Sequence, residues 1–345
     1  MKVLHLLSSS HFSGAENVVC QIISMFKDQE SIEMAYCSVD GQIKESLNER
    51  DIKFLPLKSF SYREIRKVIK IYNPDIIHAH DVSASIMAGV VSNRTKVISH
   101  MHVNHERMSK FNFKTILYLL SSIRYSHIFW VSNSAFNNYL FRANVASKSS
   151  ILYNVINRRE LLQRMSNDVT NYDYDIVYVG RLTYQKNPEK LIQVMNAVYK
   201  KYPFLKCAII GDGDLLNSIK ELVYKSGVDC YIDFLGFRDN PLKIIHDSKI
   251  LLMTSRFEGT PMCILEAMAI GSPVVSTPTD GICDLIDNEI NGSFAESVED
   301  LAEKSFELIT NSNKRDQYSK ASIAKFNQLI NIDRYVCEIK ESYLN

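Results

Sequence analysis

The amino-acid sequence predicts an α/β fold with two doubly wound parallel-sheet domains. The chain has 345 residues, and because domains of about 100 to 200 residues are usual, two domains are expected. Short apolar runs alternate with longer amphipathic segments, as in parallel sheets joined by right-handed helical crossovers. The alternation stops in a polar stretch at 157–175 and then starts again. We therefore predict one domain over 1–157 and a second over 158–327.

Each predicted domain contains five strand candidates, separated by segments with helical periodicity. The candidates in the first domain are 3–7, 34–39, 75–80, 96–101 and 127–132, and those in the second are 175–180, 206–210, 230–236, 249–255 and 273–277. The polar stretch at 157–175 is predicted to be an irregular linker. A last helical segment, at about 313–345, has no strand after it.

Composition and charge are those of a soluble globular protein. Apolar residues make up 46% and charged residues 23% of the chain, which is ordinary usage. The net charge of +1 gives no general attraction for nucleic acid, although the excess of basic side chains lies in residues 1–150. The seven cysteines have no metal-ligand spacing and indicate reduced thiols. No signal peptide or membrane span is evident, so we expect a cytoplasmic protein.

Two carboxylates lie on either side of a predicted helix start in SRFEGTPMCILEAMAIGSP, residues 255–273. Thr260 suits the N-cap position and Pro261 the first helical position, and Gly271 suits a left-handed C-cap. Glu258 then lies in the entry loop and Glu266 inside an otherwise apolar helix, where a charged group needs a partner or a cleft. The pair could flank a ligand bound at the helix N-terminus.

Loops that follow strands supply further candidates, because ligands of doubly wound sheets bind beyond the carboxyl ends of the strands. Gly14 and Glu16 open a helix after the first strand, where backbone could approach an anion, or the glycine could simply serve a tight turn. Arg181 and Lys186 share the loop after the sixth strand, where they could bind a diphosphate or remain solvated charges.

The turn GDGDLL, residues 211–216, has two glycines but lacks the third of a dinucleotide-binding fingerprint, so it supports an NAD site only weakly. Its Asp212 and Asp214 have the spacing of a metal-binding carboxylate pair. Aspartates in glycine-rich turns more often accept hydrogen bonds from the turn itself, and we therefore predict no metal at this turn.

Four histidines lie at the ends of two neighbouring strands. His78 and His80 end one strand candidate and His100 and His102 the next, and strand alternation places the members of each pair on one face. They could bind a metal, but the sequence offers no completing carboxylate at a fixed spacing. The alternative is that a strand-end histidine binds a substrate hydroxyl or stabilises a charged centre.

Taken in order along nearly the whole chain, these loops resemble those of one family. The segments are SGAE (13–16), HAH (78–80), SHMH (99–102), VSNS (131–134), YNVIN (153–157), VGRLTYQKN (179–187), GDGDLL, FLGFRDN (234–240) and EGTPMCILEAMAIGSPVVST (258–277). They resemble the retaining GT4-type glycosyltransferases of group 1. The resemblance implies the GT-B fold: two Rossmann-like domains facing across a cleft, with the nucleotide on the second and a final helix, about 328–345, crossing back to the first.

The resemblance also implies roles for individual residues. Glu266 would accept hydrogen bonds from the ribose hydroxyls of the donor, and Glu258 would hold the transferred sugar. Arg181 and Lys186 would neutralise the departing diphosphate, so that neither a metal nor another cofactor is required. His102 matches the cleft histidine beside the reacting sugar, and with Glu258, Arg181 and Lys186 it completes the catalytic set. The full donor-binding set is Gly14, Gly180, Arg181, Lys186, Gly211, Gly213, Glu258, Gly259, Thr260, Pro261, Met262, Cys263 and Glu266.

The resulting expectation is a metal-independent retaining hexosyltransferase. It would move a sugar from a nucleotide sugar, expected to be a UDP-sugar, to a glycan or lipid-linked acceptor in bacterial surface polysaccharide synthesis, with no nucleic-acid partner. Two alternatives remain open: a sugar-nucleotide epimerase of the same fold, and a catalytically silent sugar-nucleotide-binding partner of another transferase. The candidates on the acceptor side are Glu16, His80, Lys110 and Lys114.

The segment at 107–130 is basic, rich in aromatic residues and free of acidic ones. Its Lys110, Lys114 and Arg124 alternate with Phe111, Phe113 and further apolar residues. Such a segment could lie on the anionic inner face of the plasma membrane. It could equally be an internal crossover helix, because it leads directly into the fifth strand candidate. Both hold if one face packs and the other meets lipid.

Overall fold

The computed structural model describes residues 1–12, 14–102 and 106–345. It contains two compact α/β units. The first comprises Met1–Val155 together with Ile332–Asn345, and the second comprises Ile156–Asn331. These limits lie within a few residues of the domain boundaries predicted at 157 and 328.

Twelve strands and sixteen α-helices are assigned in the described residues. The strands are β1 (Lys2–Leu6), β2 (Glu33–Cys37), β3 (Ile76–Ala79), β4 (Lys96–Met101), β5 (Tyr125–Trp130), β6 (Ser149–Ile151), β7 (Ile176–Val179), β8 (Cys207–Ile210), β9 (Ile232–Gly236), β10 (Ile250–Met253), β11 (Val274–Ser276) and β12 (Ser293–Phe294). The helices are α1 (Gly14–Met25), α2 (Ile43–Glu49), α3 (Tyr62–Tyr72), α4 (Val82–Val91), α5 (Phe113–Ser122), α6 (Asn133–Asn137), α7 (Arg142–Val145), α8 (Arg158–Ser166), α9 (Pro188–Lys201), α10 (Leu216–Lys225), α11 (Leu242–Asp247), α12 (Met262–Ile270), α13 (Asp280–Cys283), α14 (Val298–Thr310), α15 (Ser312–Leu329) and α16 (Ile332–Leu344).

Both sheets are parallel and doubly wound, as the alternating pattern predicted. The first has the order β2-β1-β3-β4-β5-β6 and the second the order β12-β11-β10-β7-β8-β9. The direction of winding reverses between β1 and β3 in the first sheet and between β7 and β10 in the second. Ligands of such sheets bind beyond the strand ends at this switch point. The fold therefore directs attention to the loops after β1, β3, β7 and β10.

Each sheet has a sixth, very short strand that the sequence analysis missed. These strands, β6 and β12, have three and two residues, too few for a periodic signal. Both lie at a sheet edge, where a short strand limits pairing with other chains.

The predicted linker at 157–175 is wrong in its first half, where helix α8 forms. Asn157 caps this helix by accepting hydrogen bonds from the N–H groups of Arg159 and Glu160. Leu161 is buried, and the Arg158 guanidinium donates to the carbonyl of Ala269 at 2.7 Å. One apolar anchor and one long-range hydrogen bond order a segment whose polar composition suggested a loop. The last helical stretch is also two helices, α15 and α16, rather than one.

Each unit has its own apolar core, built from inward-facing strand residues and the covering faces of the helices. In the first unit, α16 contributes the buried side chains of Tyr335, Ile339 and Tyr343. All seven cysteines are free thiols. Among the described residues, no helix combines the length and the hydropathy needed to cross a bilayer.

Candidate active site

In the second unit, the loops after β7 and β10 are joined at the switch point by several hydrogen bonds. The Thr254 hydroxyl donates to the carbonyls of Lys186 at 3.3 Å and Asn187 at 3.1 Å. The Arg256 N–H donates to the carbonyl of Gln185 at 2.8 Å, and the Gln185 amide donates to the carbonyl of Phe257 at 3.0 Å. These contacts hold the two loops, which are far apart in the sequence, in a fixed position relative to each other.

A buried ion pair lies between the joined loops. The Lys186 ammonium donates to Oε1 of Glu258 at 2.6 Å, and the Ser255 hydroxyl donates to the same oxygen at 2.6 Å. The two charged side chains are only 13% and 5% exposed. Burial lowers the pKa of Lys186, but the negative charge of Glu258 opposes this effect and the pKa lies above its ordinary value. Lys186 therefore stays a cation at neutral pH.

Helix α12 begins four residues after Glu258. Its first helical residue is Met262 and Pro261 is the N-cap, so the predicted Thr260 N-cap is one residue too early. Pro261 lacks an N–H and supplies the carbonyl that accepts the first helical hydrogen bond, from Ile264. The N–H groups of Met262 and Cys263 precede any intrahelical partner, as at every helix start. The helix ends as predicted at Gly271, which has a left-handed φ of 81°.

Glu266 lies one turn into α12 and is half-buried. Its carboxyl has no assigned hydrogen-bond partner in the part of the chain that the structure describes. Burial raises the pKa of Glu266 to about 7, and the positive charge of Arg164 only partly opposes the shift. A carboxyl group in this state is available to accept hydrogen bonds from a ligand.

Close loop packing accounts for the glycines after β7 and β8. A Cβ atom on Gly211 would lie 2.0 Å from the Gly180 carbonyl oxygen, and one on Gly213 would lie 2.4 Å from that of Leu182. Both have a φ near the limit of the glycine region, 140° and 159°. The loops are further joined by the Leu182 N–H, which donates to the Asp212 carbonyl at 2.8 Å. These glycines are required by the fold, and their contact with a donor remains a prediction.

The remaining predicted residues of the second unit lie around these loops. Arg181 is exposed, and Asp212 and Asp214 are exposed in a turn. Asp212 accepts a hydrogen bond from the N–H of Gly213 at 2.7 Å, which is the turn role that we favoured. The Gly259 carbonyl packs so closely against Gly281 that a Cβ there would come within 1.3 Å of it. No sequence pattern indicated Gly281 or Ser255, since their roles depend on contacts between loops.

In the first unit, five buried histidines cover one face of three adjacent strands. His5 lies on β1, His78 and His80 on or just after β3, and His100 and His102 on or just after β4. Register brings them together, because His5 is paired with His78 and His78 with Ile98, two residues before His100. The ring centroids of His78 and His80 are 4.2 Å apart and those of His100 and His102 are 4.1 Å apart.

The histidine cluster is electrically neutral at physiological pH. Burial lowers the pKa of His102 to about 3, with a smaller opposing effect of a hydrogen bond with Asn154. Burial also lowers the pKa of His80 well below its ordinary value. His102 can therefore donate or accept a hydrogen bond, but it does not stabilise a negative centre as a resident cation. The sequence alone is compatible with both roles.

The acceptor-side candidates differ in their exposure to solvent. Glu16 is buried in the first turn of α1, while Gly14 at the start of that helix is exposed. Lys110 and Lys114 are both exposed, and the Lys114 ammonium donates to the Ser83 hydroxyl at 3.4 Å. Among the described residues, the only groups of three potential metal ligands are histidines of the buried cluster.

Comparison with solved structures defines the class of the fold. Anabaena HepE, solved with UDP and glucose, superimposes with a TM-score of 0.85 over 99% of both chains at 18% identity. The two six-stranded units have the GT-B fold of the glycosyltransferases. Residues 162–325 match the family described as glycosyl transferases group 1, and residues 3–132 match glycosyl transferase 4-like proteins. The chain belongs to these glycosyltransferases.

Two sequence relatives differ in how much of their length is matched. A capsular polysaccharide biosynthesis glycosyltransferase of Staphylococcus aureus, CapH, is 23% identical over all of this chain and 99% of its own. An uncharacterised glycosyltransferase of Methanocaldococcus jannaschii is 29% identical over 62% of this chain. The match spans 58% of that archaeal protein and 55% of a second one from the same organism, which is little more than half of their length.

The buried pair of Lys186 and Glu258 gives the first prediction, on stability. Lys186→Met leaves a buried carboxylate without its cation and should lower the free energy of unfolding by about 3 to 5 kcal/mol. The loss of unfolding free energy in the double variant Lys186→Met/Glu258→Gln should be smaller than the sum of the losses in the two single variants. Urea denaturation followed by circular dichroism measures all three.

The control is Lys225→Met, which removes an exposed partner of Glu221 in the same unit. Lys225→Met should change the free energy of unfolding by no more than about 1 kcal/mol. Strictly additive losses for Lys186 and Glu258 would contradict a coupled buried pair.

Proposed function

We propose that the protein is a retaining glycosyltransferase that takes a hexose from a UDP-sugar without a metal ion. The acceptor would be a glycan or lipid-linked saccharide of a bacterial surface polysaccharide. The family of the chain, the UDP and glucose held by HepE and the capsular function in the name of CapH support this proposal. The observation that carries it is the arrangement around α12: Lys186 and Glu258 paired at the helix start and Glu266 without an assigned partner one turn along.

The chemistry of these groups suits a nucleoside diphosphate sugar. Glu266 would accept hydrogen bonds from the two ribose hydroxyls, and the first N–H groups of α12 would donate to the phosphate oxygens. Glu258 has a second carboxylate oxygen, beyond the one held by Lys186 and Ser255, with which to accept from a sugar hydroxyl. The ammonium of Lys186 and the exposed guanidinium of Arg181 would supply positive charge to the diphosphate.

Retention would follow from attack on the face from which the diphosphate leaves. The acceptor hydroxyl oxygen forms the new bond to the anomeric carbon while the bond from that carbon to the phosphate oxygen breaks. The hydroxyl proton passes to the departing phosphate oxygen, so the step needs no enzymatic nucleophile. Lys186 and Arg181 would stabilise the charge that develops on the diphosphate. His102 would hydrogen-bond to a hydroxyl at the reacting sugar.

The second prediction tests the reaction. With a panel of UDP-sugars and saccharide acceptors, one pair should yield UDP and a product with the donor's anomeric configuration by NMR, and EDTA should leave the rate unchanged. His102→Ala should lower kcat by about 100-fold or more and change the donor KM much less, because its contact strengthens as the glycosidic bond breaks. An inverted product, full loss of activity in EDTA restored by manganese, or a changed sugar nucleotide released without acceptor would each contradict the proposal.

The third prediction concerns Glu266 and pH. Because burial raises the pKa of this carboxyl to about 7, the free protein holds a proton there that must leave before both ribose hydroxyls can donate to it. Affinity for a UDP-sugar, whose diester phosphates do not titrate in this range, should therefore rise about tenfold from pH 6 to pH 8. Isothermal titration calorimetry at several pH values measures the slope.

Glu266→Gln is the matched variant for this titration. It should weaken binding at pH 8 by about 1.5 to 3 kcal/mol, as for hydrogen bonds to a charged group, and should remove the pH dependence. An unchanged slope in Glu266→Gln would assign the titration to another residue.

We also propose that the surface around α5 rests on an anionic membrane. The buried face of α5 packs against the rest of the first unit through Thr115, Tyr118 and Ser122. The Tyr118 hydroxyl lies 2.8 Å from that of Ser99. On the surface around α5, Phe111 and Phe113 are each 76% exposed. Leu120 and Ile123 are exposed as well.

The charge around these apolar side chains favours lipid over a protein partner of mixed charge. Lys110, Lys114 and Arg124 are exposed beside them. No acidic residue occurs between 107 and 159. Exposed aromatic side chains among cations are the composition of surfaces that insert shallowly into anionic bilayers. Such docking would bring the protein to a lipid-linked acceptor.

The fourth prediction tests this docking by sedimentation with liposomes. The protein should bind phosphatidylglycerol vesicles and release them at high salt, and should not bind phosphatidylcholine vesicles. Changing Lys110, Lys114 and Arg124 to Gln should weaken partitioning about 100-fold, at about 1 kcal/mol for each cation. The control changes Arg63, Lys67 and Lys70 of α3 to Gln, an equal loss of charge elsewhere on the unit. Equal recovery of both triple variants would refute the proposed surface.

A further inference from the structure

Three of the buried histidines form a hydrogen-bonded chain that ends at a methionine. The Nε2 atom of His5 lies 3.3 Å from Sδ of Met34, and Nδ1 of His5 lies 2.8 Å from Nε2 of His80. Nδ1 of His80 lies in turn 2.9 Å from Nε2 of His102. His5, His80 and Met34 are buried, and His102 is 7% exposed. The chain thus leads from the core of the first unit to His102, the histidine predicted to lie beside the reacting sugar.

The methionine sets the direction of every hydrogen bond in this chain. A thioether sulfur can accept a hydrogen bond but has no proton to donate, so Nε2 of His5 must carry the proton. A neutral imidazole carries only one N–H, which leaves Nδ1 of His5 as an acceptor for the Nε2–H of His80. By the same rule, Nδ1 of His80 accepts from the Nε2–H of His102. Nδ1 of His102 is then left with a lone pair and no proton.

The reverse order of protons would lose a hydrogen bond. It would turn a lone pair of His5 toward the sulfur of Met34, so that two acceptors face each other. At the other end of the chain, Asn154 lies beside His102, and a side-chain amide has both an NH₂ group and an oxygen with which to meet a ring nitrogen. The sulfur of Met34 can only accept, and it therefore favours one of the two orders.

Burial keeps each imidazole ring neutral, with a single N–H. It lowers the pKa of His5 and of His102 to about 3, far below physiological pH. The other two histidines of the cluster lie outside the chain. Nδ1 of His78 is 2.8 Å from the Tyr343 hydroxyl, and the ring nitrogens of His100 have no hydrogen-bond partner among the described residues.

We propose that Met34, His5 and His80 are positioning residues that hold His102 in its Nε2–H tautomer, in which Nδ1 carries a lone pair that can accept a hydrogen bond. The functional consequence rests on the proposed glycosyl transfer. In that reaction Nδ1 of His102 accepts a hydrogen bond from a hydroxyl of the donor sugar or the acceptor. In the opposite tautomer Nδ1 would carry an N–H, which can donate to the oxygen of a hydroxyl group but cannot accept its proton.

The tautomer can be measured without any activity assay. In protein labelled with ¹⁵N-histidine, long-range ¹H–¹⁵N correlation spectra distinguish protonated from bare ring nitrogens, and His102→Gln identifies the signals of His102. The wild type should show Nε2–H and bare Nδ1 for His5, His80 and His102. Met34→Leu, which keeps the side-chain volume and removes the acceptor, should give mixed tautomers for all three.

Met101→Leu is the matched control, since Met101 is a buried methionine on the opposite face of β4 from His100. It should leave the histidine spectrum unchanged. In the transfer assay, Met34→Leu should lower kcat about two- to tenfold, in proportion to the fraction of His102 in the wrong tautomer, with an unchanged donor KM. The control should have the wild-type kcat.

Three results would overturn the proposal: a proton on Nδ1 of His102 in the wild type, an unchanged histidine spectrum in Met34→Leu, or stoichiometric Zn²⁺ retained by the cluster after gel filtration. A bound metal would take the lone pairs that the chain uses. If no UDP-sugar is turned over, the proposed function fails while the spectra still decide whether the chain orders the protons of His102.

Discussion

Removing a lysine and a glutamate from water costs several kcal/mol for each ion, and the second unit meets this cost by placing Lys186 against Glu258 at 2.6 Å. The surrounding loops have the geometry that this contact needs. Thr254 holds the backbone of Lys186, Ser255 donates to Glu258, and Gln185 joins the two segments. A charged pair is thereby kept at the start of α12, where a diphosphate sugar would need it.

The first unit solves the same problem of buried polar groups in the opposite way. Its five histidines lose their charge, because burial lowers the pKa of each buried ring, to about 3 in His5 and His102. Neutral rings can then hydrogen-bond to one another, provided that each ring donates with one nitrogen and accepts with the other in the same direction along the chain. The second unit thus offers fixed charge, suited to phosphate, and the first offers neutral hydrogen bonding, suited to hydroxyl groups.

Sheet topology explains why these groups lie where they do. Parallel strands bring their carboxyl ends to one edge, and the winding reverses between β7 and β10, where ligands of such sheets bind. The glycines at 211 and 213 let the loop after β8 pack onto the backbone after β7. Because these two glycines have no side chains, the two loops can pack closely, and this packing helps to fix the loop that contains Lys186. The strand register of the first unit likewise places His5, His78 and His100 on one face of neighbouring strands.

The sequence by itself determined the two-sheet architecture, the helix that ends at Gly271 and the spacing of Glu258 and Glu266, because these depend on local periodicity, capping preferences and short motifs. Only the tertiary structure decided that Lys186 pairs with Glu258, 72 residues away, and that the sulfur of Met34 lies 3.3 Å from a ring nitrogen of His5. It also decided that a polar stretch forms helix α8. Such contacts join residues far apart in the chain, and no local pattern of side chains encodes which of many possible partners a fold brings within hydrogen-bond distance.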